Sequence, residues 1–349
     1  MSKLILSLDG GGIRGAATTQ FLAKLDAKLK KDYEGSIRDY VDFYAGTSTG
    51  SIIALALATT QMTMDEINSL YNYDNAKRIF KENRGFLEVD GVNAPKYEAE
   101  GKREMLQEKF GNATLGDVKP GTHVLAVTYA VEERKPKILR STKEEYRELY
   151  SHQVADASSA APTYFPTREL DIPQGSQEDY WLVDGGVIAN NPTMCAISGA
   201  RSEWPQVTLD QMRVLSVGTG FLTRRINGPA SRKWGGLQWV TQGHILELLS
   251  DERVVAYQAM TLMNPGSYIR VNARLASQPG YPKPGEKAPD DAMDDVSRAN
   301  IKRLKALGDF WFDQYGEAAA QLVAGDYPGP SLDRIDPATG KPRVVDGSH

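Results

Sequence analysis

Strand-like and helix-like hydrophobic patterns alternate along this chain from its first residues. Residues 4–8 form a short apolar run closed by glycines, the pattern of a buried strand. Across residues 16–29, Phe21, Leu22, Leu25 and Leu29 recur at helical spacing. Residues 41–45 predict a second strand. Residues 51–58 predict a helix that is apolar nearly all round and therefore buried. Thr63 and Glu66 form a capping box ahead of Ile67, Leu70 and Tyr71, so another helix starts there. Further strands are expected at 124–129, 137–139, 181–183, 214–217 and 268–271, and helices from about 239 to 263 and on through Val323. Such alternation predicts an α/β fold, a mostly parallel central sheet with helices on both faces in three layers.

No repeat and no linker divides the chain, so residues 1–325 are expected to be a single domain. Its motif-bearing core covers about 4–200, and a helical and strand-containing part covers 201–325. Proline and glycine recur every few residues after Ala324, so 326–349 is expected to be an irregular tail. The polar, weakly periodic stretch 74–102 reads as a surface excursion or lid, or equally as a long loop with a helix in it.

Composition narrows the function. With 41% hydrophobic and 25% charged residues, the 349-residue chain has the balance of a soluble globular protein. A net charge of -4 gives no bulk attraction to nucleic acid or to anionic lipid. The single cysteine, Cys195, excludes an intrachain disulfide and a thiolate metal cluster. The longest apolar run, 52–58, falls well short of the roughly 20 residues a membrane span needs, so a soluble, cytoplasmic protein is expected.

Three glycine-bearing motifs carry the candidate chemistry. GTSTG (46–50) lies between a strand and a helix, and a serine between glycines at such a turn is the nucleophile-elbow pattern. Gly46 and Gly50 relieve backbone crowding, and the helix that follows points its positive end at Ser48. DGGGIRG (9–15) sits at another strand-to-helix turn, where bare N–H groups of Gly10, Gly11 and Gly12 can approach a developing oxyanion. The same residues match G-x-G-x-x-G, which leaves a nucleotide-binding module as an alternative. That fingerprint expects an acidic residue after the second strand, where this chain has GTSTG instead. Arg14 is an anchor for the loop or an anion contact. DGG (184–186) follows the strand WLV, and Asp184 there is a turn aspartate or a general base. A serine needs a base. Of the histidines, His123, His152, His244 and His349, only the last two follow Asp184, as a Ser-Asp-His esterase would require, and neither sits in a tight motif. The choice therefore favours Asp184, with His244 as the rival.

These motifs, in this order, resemble those of the patatin-like phospholipase family. ASSAAPTYFP (157–166), LSVGTG (215–220), YIRVN (268–272) and MDDVSRANI (293–301) extend the likeness over most of the chain. The resemblance implies a lipid acyl hydrolase of phospholipase A type with a Ser48–Asp184 dyad and an acyl-serine intermediate. Gly10, Gly11 and Gly12 would hold the oxyanion, and Asp9, Arg14, Gly15, Gly46, Gly50, Gly185 and Gly186 would support the motifs. It implies no metal and no cofactor, and a membrane phospholipid substrate reached peripherally at the inner membrane. Some bacterial members resemble switchable antiphage effectors, which raises a cyclic nucleotide activator as an expectation. Arg224, Arg225, Arg232 and Lys233 are candidate phosphate contacts, in a stretch that reads equally as a solvated loop.

Overall fold

In the first strand, β1 (Lys3–Leu8), Leu4, Leu6 and Leu8 point to one face of a sheet and Ile5 to the other. Both faces are therefore apolar, and both are covered. A computed structural model describes residues 2–83, 94–221, 226–241 and 251–345. Its remaining strands are β2 (Phe43–Thr47), β3 (His123–Ala130), β4 (Lys135–Arg140), β5 (Arg168–Asp171), β6 (Asp179–Asp184), β7 (Met212–Val217), β8 (Tyr268–Val271), β9 (Ser331–Ile335) and β10 (Pro342–Val345).

Among the described residues these form one ten-stranded sheet in the order β10-β9-β8-β7-β1-β2-β3-β6-β5, with β4 also paired to β3. The centre, from β9 to β3, is parallel, whereas β4, β5, β6 and β10 pair antiparallel. The α/β architecture is as the pattern predicts, but the mostly parallel sheet becomes a mixed one toward its flanks. On one face the helix Gly15–Asp32 buries Phe21, Leu22, Leu25 and Leu29 and packs along the long helix Arg298–Ala324. The opposite face is covered by the helices Thr193–Glu203 and Arg253–Leu262 through Ala196, Ile197, Ala200 and Ala259.

The C-terminal part corrects an expectation. As far as residue 345 the stretch after Ala324 is not irregular: Gly325 ends the long helix with a φ of 95°, and β9 and β10 then add a hairpin to the sheet edge. Its prolines and glycines mark the turns and the first residue of an edge strand, positions where they cost little. The 74–102 excursion carries the helix Tyr73–Ile79 and leads into the helix Glu100–Phe110. It is docked by backbone bonds from Lys96 and Tyr97 to the carbonyls of Thr163 and Tyr164, at 2.9 and 2.8 Å.

Strand register explains where a site forms. β2 runs parallel to β3 and ends at the pair Thr47–Val127, while β6 runs antiparallel and ends at Thr128–Asp184. β4 occupies the other edge of β3 over the same residues, so β2 and β6 meet head to head on one edge. Ser48 and Asp184 thus arrive at one point from opposite directions.

Candidate active site

Ser48 stands at the turn from β2 into the buried helix Thr49–Thr59 with φ 53° and ψ -125°, a backbone conformation that costs a non-glycine residue energy. The flanking glycines make the turn possible. A methyl group at Gly50 would lie 2.1 Å from the Leu8 carbonyl oxygen, and one at Gly46 2.3 Å from that of Gly50. Ser48 caps the helix: its carbonyl accepts from the Ser51 N–H at 2.9 Å and from the Ser51 hydroxyl at 2.6 Å. Its own N–H donates to Ser158 Oγ at 3.1 Å, and Ser158 Oγ donates onward to the Val127 carbonyl at 2.7 Å. Ser158→Ala would leave the Ser48 N–H without that acceptor. We expect a loss of about 1–3 kcal/mol, read by urea unfolding.

Asp184 is buried at the end of β6. The Ser48 side chain is among the groups that lower its pKa. The Gly186 N–H donates to Oδ1 at 2.7 Å, and the Asp184 N–H donates to the Ala160 carbonyl at 3.0 Å. Burial pushes its pKa up to about 6, opposed by the Ser48 hydroxyl, the Gly186 N–H and the Lys102 charge. A carboxylate of that pKa, beside a serine hydroxyl, is equipped to take a proton near neutrality.

The glycine loop lies directly against the serine, since a methyl at Gly10 would come 3.1 Å from Ser48 Cβ. Its N–H groups are not equivalent. That of Gly10 donates to the Asn190 carbonyl at 3.0 Å, so the expected role of Gly10 as an oxyanion donor gives way to one in anchoring the loop. The Gly10 carbonyl accepts from Thr219 Oγ1 at 2.7 Å, and Ile13 donates to the Met293 carbonyl at 2.9 Å. Arg14 Nε donates to the Gly11 carbonyl at 3.2 Å, a contact that suits the anchor role. Among the described residues nothing accepts from the N–H groups of Gly11 and Gly12, which remain as donors. Beneath the loop, Asp9 pairs with Arg270, whose guanidinium also meets Glu252 at 2.8 Å and Ser216 at 2.8 Å.

The remaining candidates stand elsewhere. His123 packs between Phe43 and Trp204, and His152 stacks on Tyr150. His244, His349, Arg224 and Arg225 lie outside the described residues. Arg232 and Lys233 are exposed. Among the described residues no cluster of His, Cys, Asp and Glu could hold a metal, and no helix is long and apolar enough to cross a membrane. Sequence reasoning missed Ser158, Ala160 and Asn190. Two of these fall in ASSAAPTYFP, but nothing local in that segment says which atoms turn toward Ser48 and Asp184.

Comparison with known proteins agrees with the resemblance. The family model "Patatin-like phospholipase" matches residues 6–197. "Patatin-like protein 2" of Oryza sativa subsp. indica is 27% identical, over 93% of this chain and 86% of its own. "Probable inactive patatin-3-Kuras 1" of Solanum tuberosum is 30% identical, over 87% of this chain and 85% of its own. Among solved structures, VipD from Legionella pneumophila aligns at 13% identity with a TM-score of 0.40, over 88% of this chain and 67% of that one.

Proposed function

This chain belongs to the patatin-like phospholipase family of lipid acyl hydrolases, and from that premise we propose that it releases fatty acids from membrane phospholipids through a Ser48–Asp184 dyad. Kinship alone does not establish turnover, since one relative bears "inactive" in its name. The observation that carries the reading is the meeting of β2 and β6 at Val127 and Thr128, which brings Ser48 to a buried carboxylate of raised pKa.

In the first half-reaction Asp184 takes the hydroxyl proton as Ser48 Oγ bonds to the ester carbonyl carbon. The oxyanion that forms meets the Gly11 and Gly12 N–H groups and the positive end of the helix Thr49–Thr59. Collapse breaks the carbon–oxygen bond to the lysolipid, which leaves with the proton from Asp184. A water then attacks the acyl-serine, giving its proton to Asp184, and Ser48 recovers that proton as the fatty acid departs. What supports the oxyanion reading over a dinucleotide cradle is the packing of Gly10 against Ser48. The substrate would be met at the bilayer surface, reached from outside the hydrocarbon core.

The test is fatty-acid release from phospholipid vesicles together with fluorophosphonate labelling. Wild type is expected to do both, Ser48→Ala neither, and His244→Ala both. Loss of release in His244→Ala with retention in Asp184→Asn would replace the dyad with a triad. The pH dependence has a defined sign. Asp184 acts as base only when ionised, so kcat/KM should fall as pH drops through about 6, by about tenfold per unit below it. A profile flat to pH ~4.5 would remove Asp184 as the base.

A further inference from the structure

The helix Glu100–Phe110, at the end of the excursion, turns one cation inward. Lys102 is only 2% exposed, with Nζ 3.0 Å from Asp156 Oδ1. The ammonium also donates to the Ser159 carbonyl at 3.0 Å, to the Asp156 carbonyl at 3.2 Å and to Ser159 Oγ at 3.2 Å. It sits 4.2 Å from the centre of the Phe165 ring. Burying an ammonium is costly unless its partners are well placed, so four oxygens and a ring face around one nitrogen form a built position.

Asp156 does not need Lys102 for neutralisation. Arg103 Nε lies 3.1 Å and Arg168 Nε 3.3 Å from its other oxygen. Three cations on one carboxylate leave surplus positive charge, and two of the three, the arginines, are more exposed than Lys102. The surplus lies beside the short segment 156–160. That segment carries Ser158, which accepts the Ser48 N–H, and Ala160, whose carbonyl accepts the Asp184 N–H. One turn therefore holds both members of the reactive pair, and Lys102 is clamped to the carbonyls within it.

We propose that Lys102 is a positioning residue for the Ser48–Asp184 pair, its ammonium fixing the 156–160 turn and presenting a buried positive charge to the base. This rests on the dyad reading above. The direction of its electrostatic effect agrees, because the Lys102 charge lowers the Asp184 pKa against the burial that raises it. The groups acting on Asp184 are the Ser48 hydroxyl, the Gly186 N–H and Lys102. Those around Lys102 are Asp156, Arg103 and Arg168. His152, on the same helix as Asp156, is held below its ordinary pKa by burial and then by Arg168. It faces that arginine, and His152→Asn separates its titration from that of Asp184.

The test compares pH profiles of vesicle hydrolysis for the full chain, Lys102→Met, Lys102→Arg and Arg103→Ala. Melting curves confirm that each variant is folded. Removing the charge should move the acid limb of kcat/KM to higher pH. A one-unit move reads as a loss of about tenfold at pH ~5, together with a lower plateau. Lys102→Arg should return the limb to its wild-type position and still lower the plateau severalfold, because a planar guanidinium fits a compact ammonium site poorly. Arg103→Ala, which removes a cation from the Asp156 carboxylate but leaves the Lys102 bonds to the turn's carbonyls, should leave the limb in place. A folded Lys102→Met with the wild-type limb and plateau overturns the proposal. So does an Arg103→Ala that shifts the limb as much. If Lys102→Met does not fold, Lys102→Arg decides alone, and a wild-type plateau there overturns the clamp. Absence of Ser48-dependent hydrolysis in the wild type would instead sink the dyad reading itself.

Discussion

Asp184→Asn is expected to cut phospholipid hydrolysis by about 10³–10⁴-fold while making the protein more stable at neutral pH. The two effects have one origin. Asparagine keeps the shape of the side chain and an oxygen for the Gly186 N–H, which lies 2.7 Å from Oδ1 in the wild type. What it lacks is a site for the Ser48 proton, so the attacking step loses its base. On the stability side, burial raises the Asp184 pKa from 3.8 to about 6. The folded state therefore binds this proton more tightly than the unfolded chain does. Stability from that proton is complete below pH ~4 and is lost as pH rises through about 6, so an ionised Asp184 is a cost at pH 8. The shift corresponds to up to about 3 kcal/mol. Asp184→Asn removes the cost, and its advantage in urea unfolding should be present at pH 8 and gone near pH 4. An active variant would refute the base. A variant less stable than wild type at pH 8 would mean the carboxylate is held by partners stronger than those seen.

The fold was legible where it is local. The capping box at Thr63 and Glu66 forms as spaced, with the Thr63 N–H bonded to the Glu66 carboxylate at 2.7 Å. The strand 268–271 falls where its apolar run predicts. β9 and β10 were not legible, because the same prolines and glycines that mark a loose tail also mark an edge hairpin. At the candidate site the glycine motifs stand out in the sequence because close backbone approach leaves room for no other residue. Their convergence does not, since it depends on β2 and β6 abutting at Val127 and Thr128, 80 residues of chain after Thr47 and 56 before Asp184. Ser158, Ala160 and Lys102 act through space on residues far away in sequence, and no local pattern marks a serine hydroxyl that accepts from a distant N–H. The difference between Gly10 and its neighbours was hidden for the same reason. It follows from one bond to Asn190.

Arg270→Met is expected to destabilise the protein by about 3–5 kcal/mol, the scale for removing one partner of a buried ion pair. Arg270 is fully buried on β8 and is shared by two carboxylates, with Nη1 2.9 Å from Asp9 Oδ1 and Nη2 2.8 Å from Glu252 Oε2. Burial already lifts Asp9 to about 6 while Arg270 opposes it, so without the guanidinium the pKa must rise further. A raised carboxylate stabilises the fold below its unfolded pKa and loses that contribution as pH rises through its folded pKa. Arg270→Met should therefore lose stability steeply between pH ~5 and 8, where the wild type changes less. Asp9 opens the glycine loop, so a displaced Asp9 should also misplace the Gly11 and Gly12 N–H groups, and fluorophosphonate labelling should slow even in the fraction that stays folded. The triple variant Asp9→Asn, Glu252→Gln, Arg270→Met separates charge from shape. With these three charges gone together, most of the lost stability should return, and the pH slope between about 5 and 8 should flatten. If the single variant melts like wild type at both ends of that pH range, the cluster does not hold the loop. Its place beneath DGGGIRG would then have to be explained by packing alone.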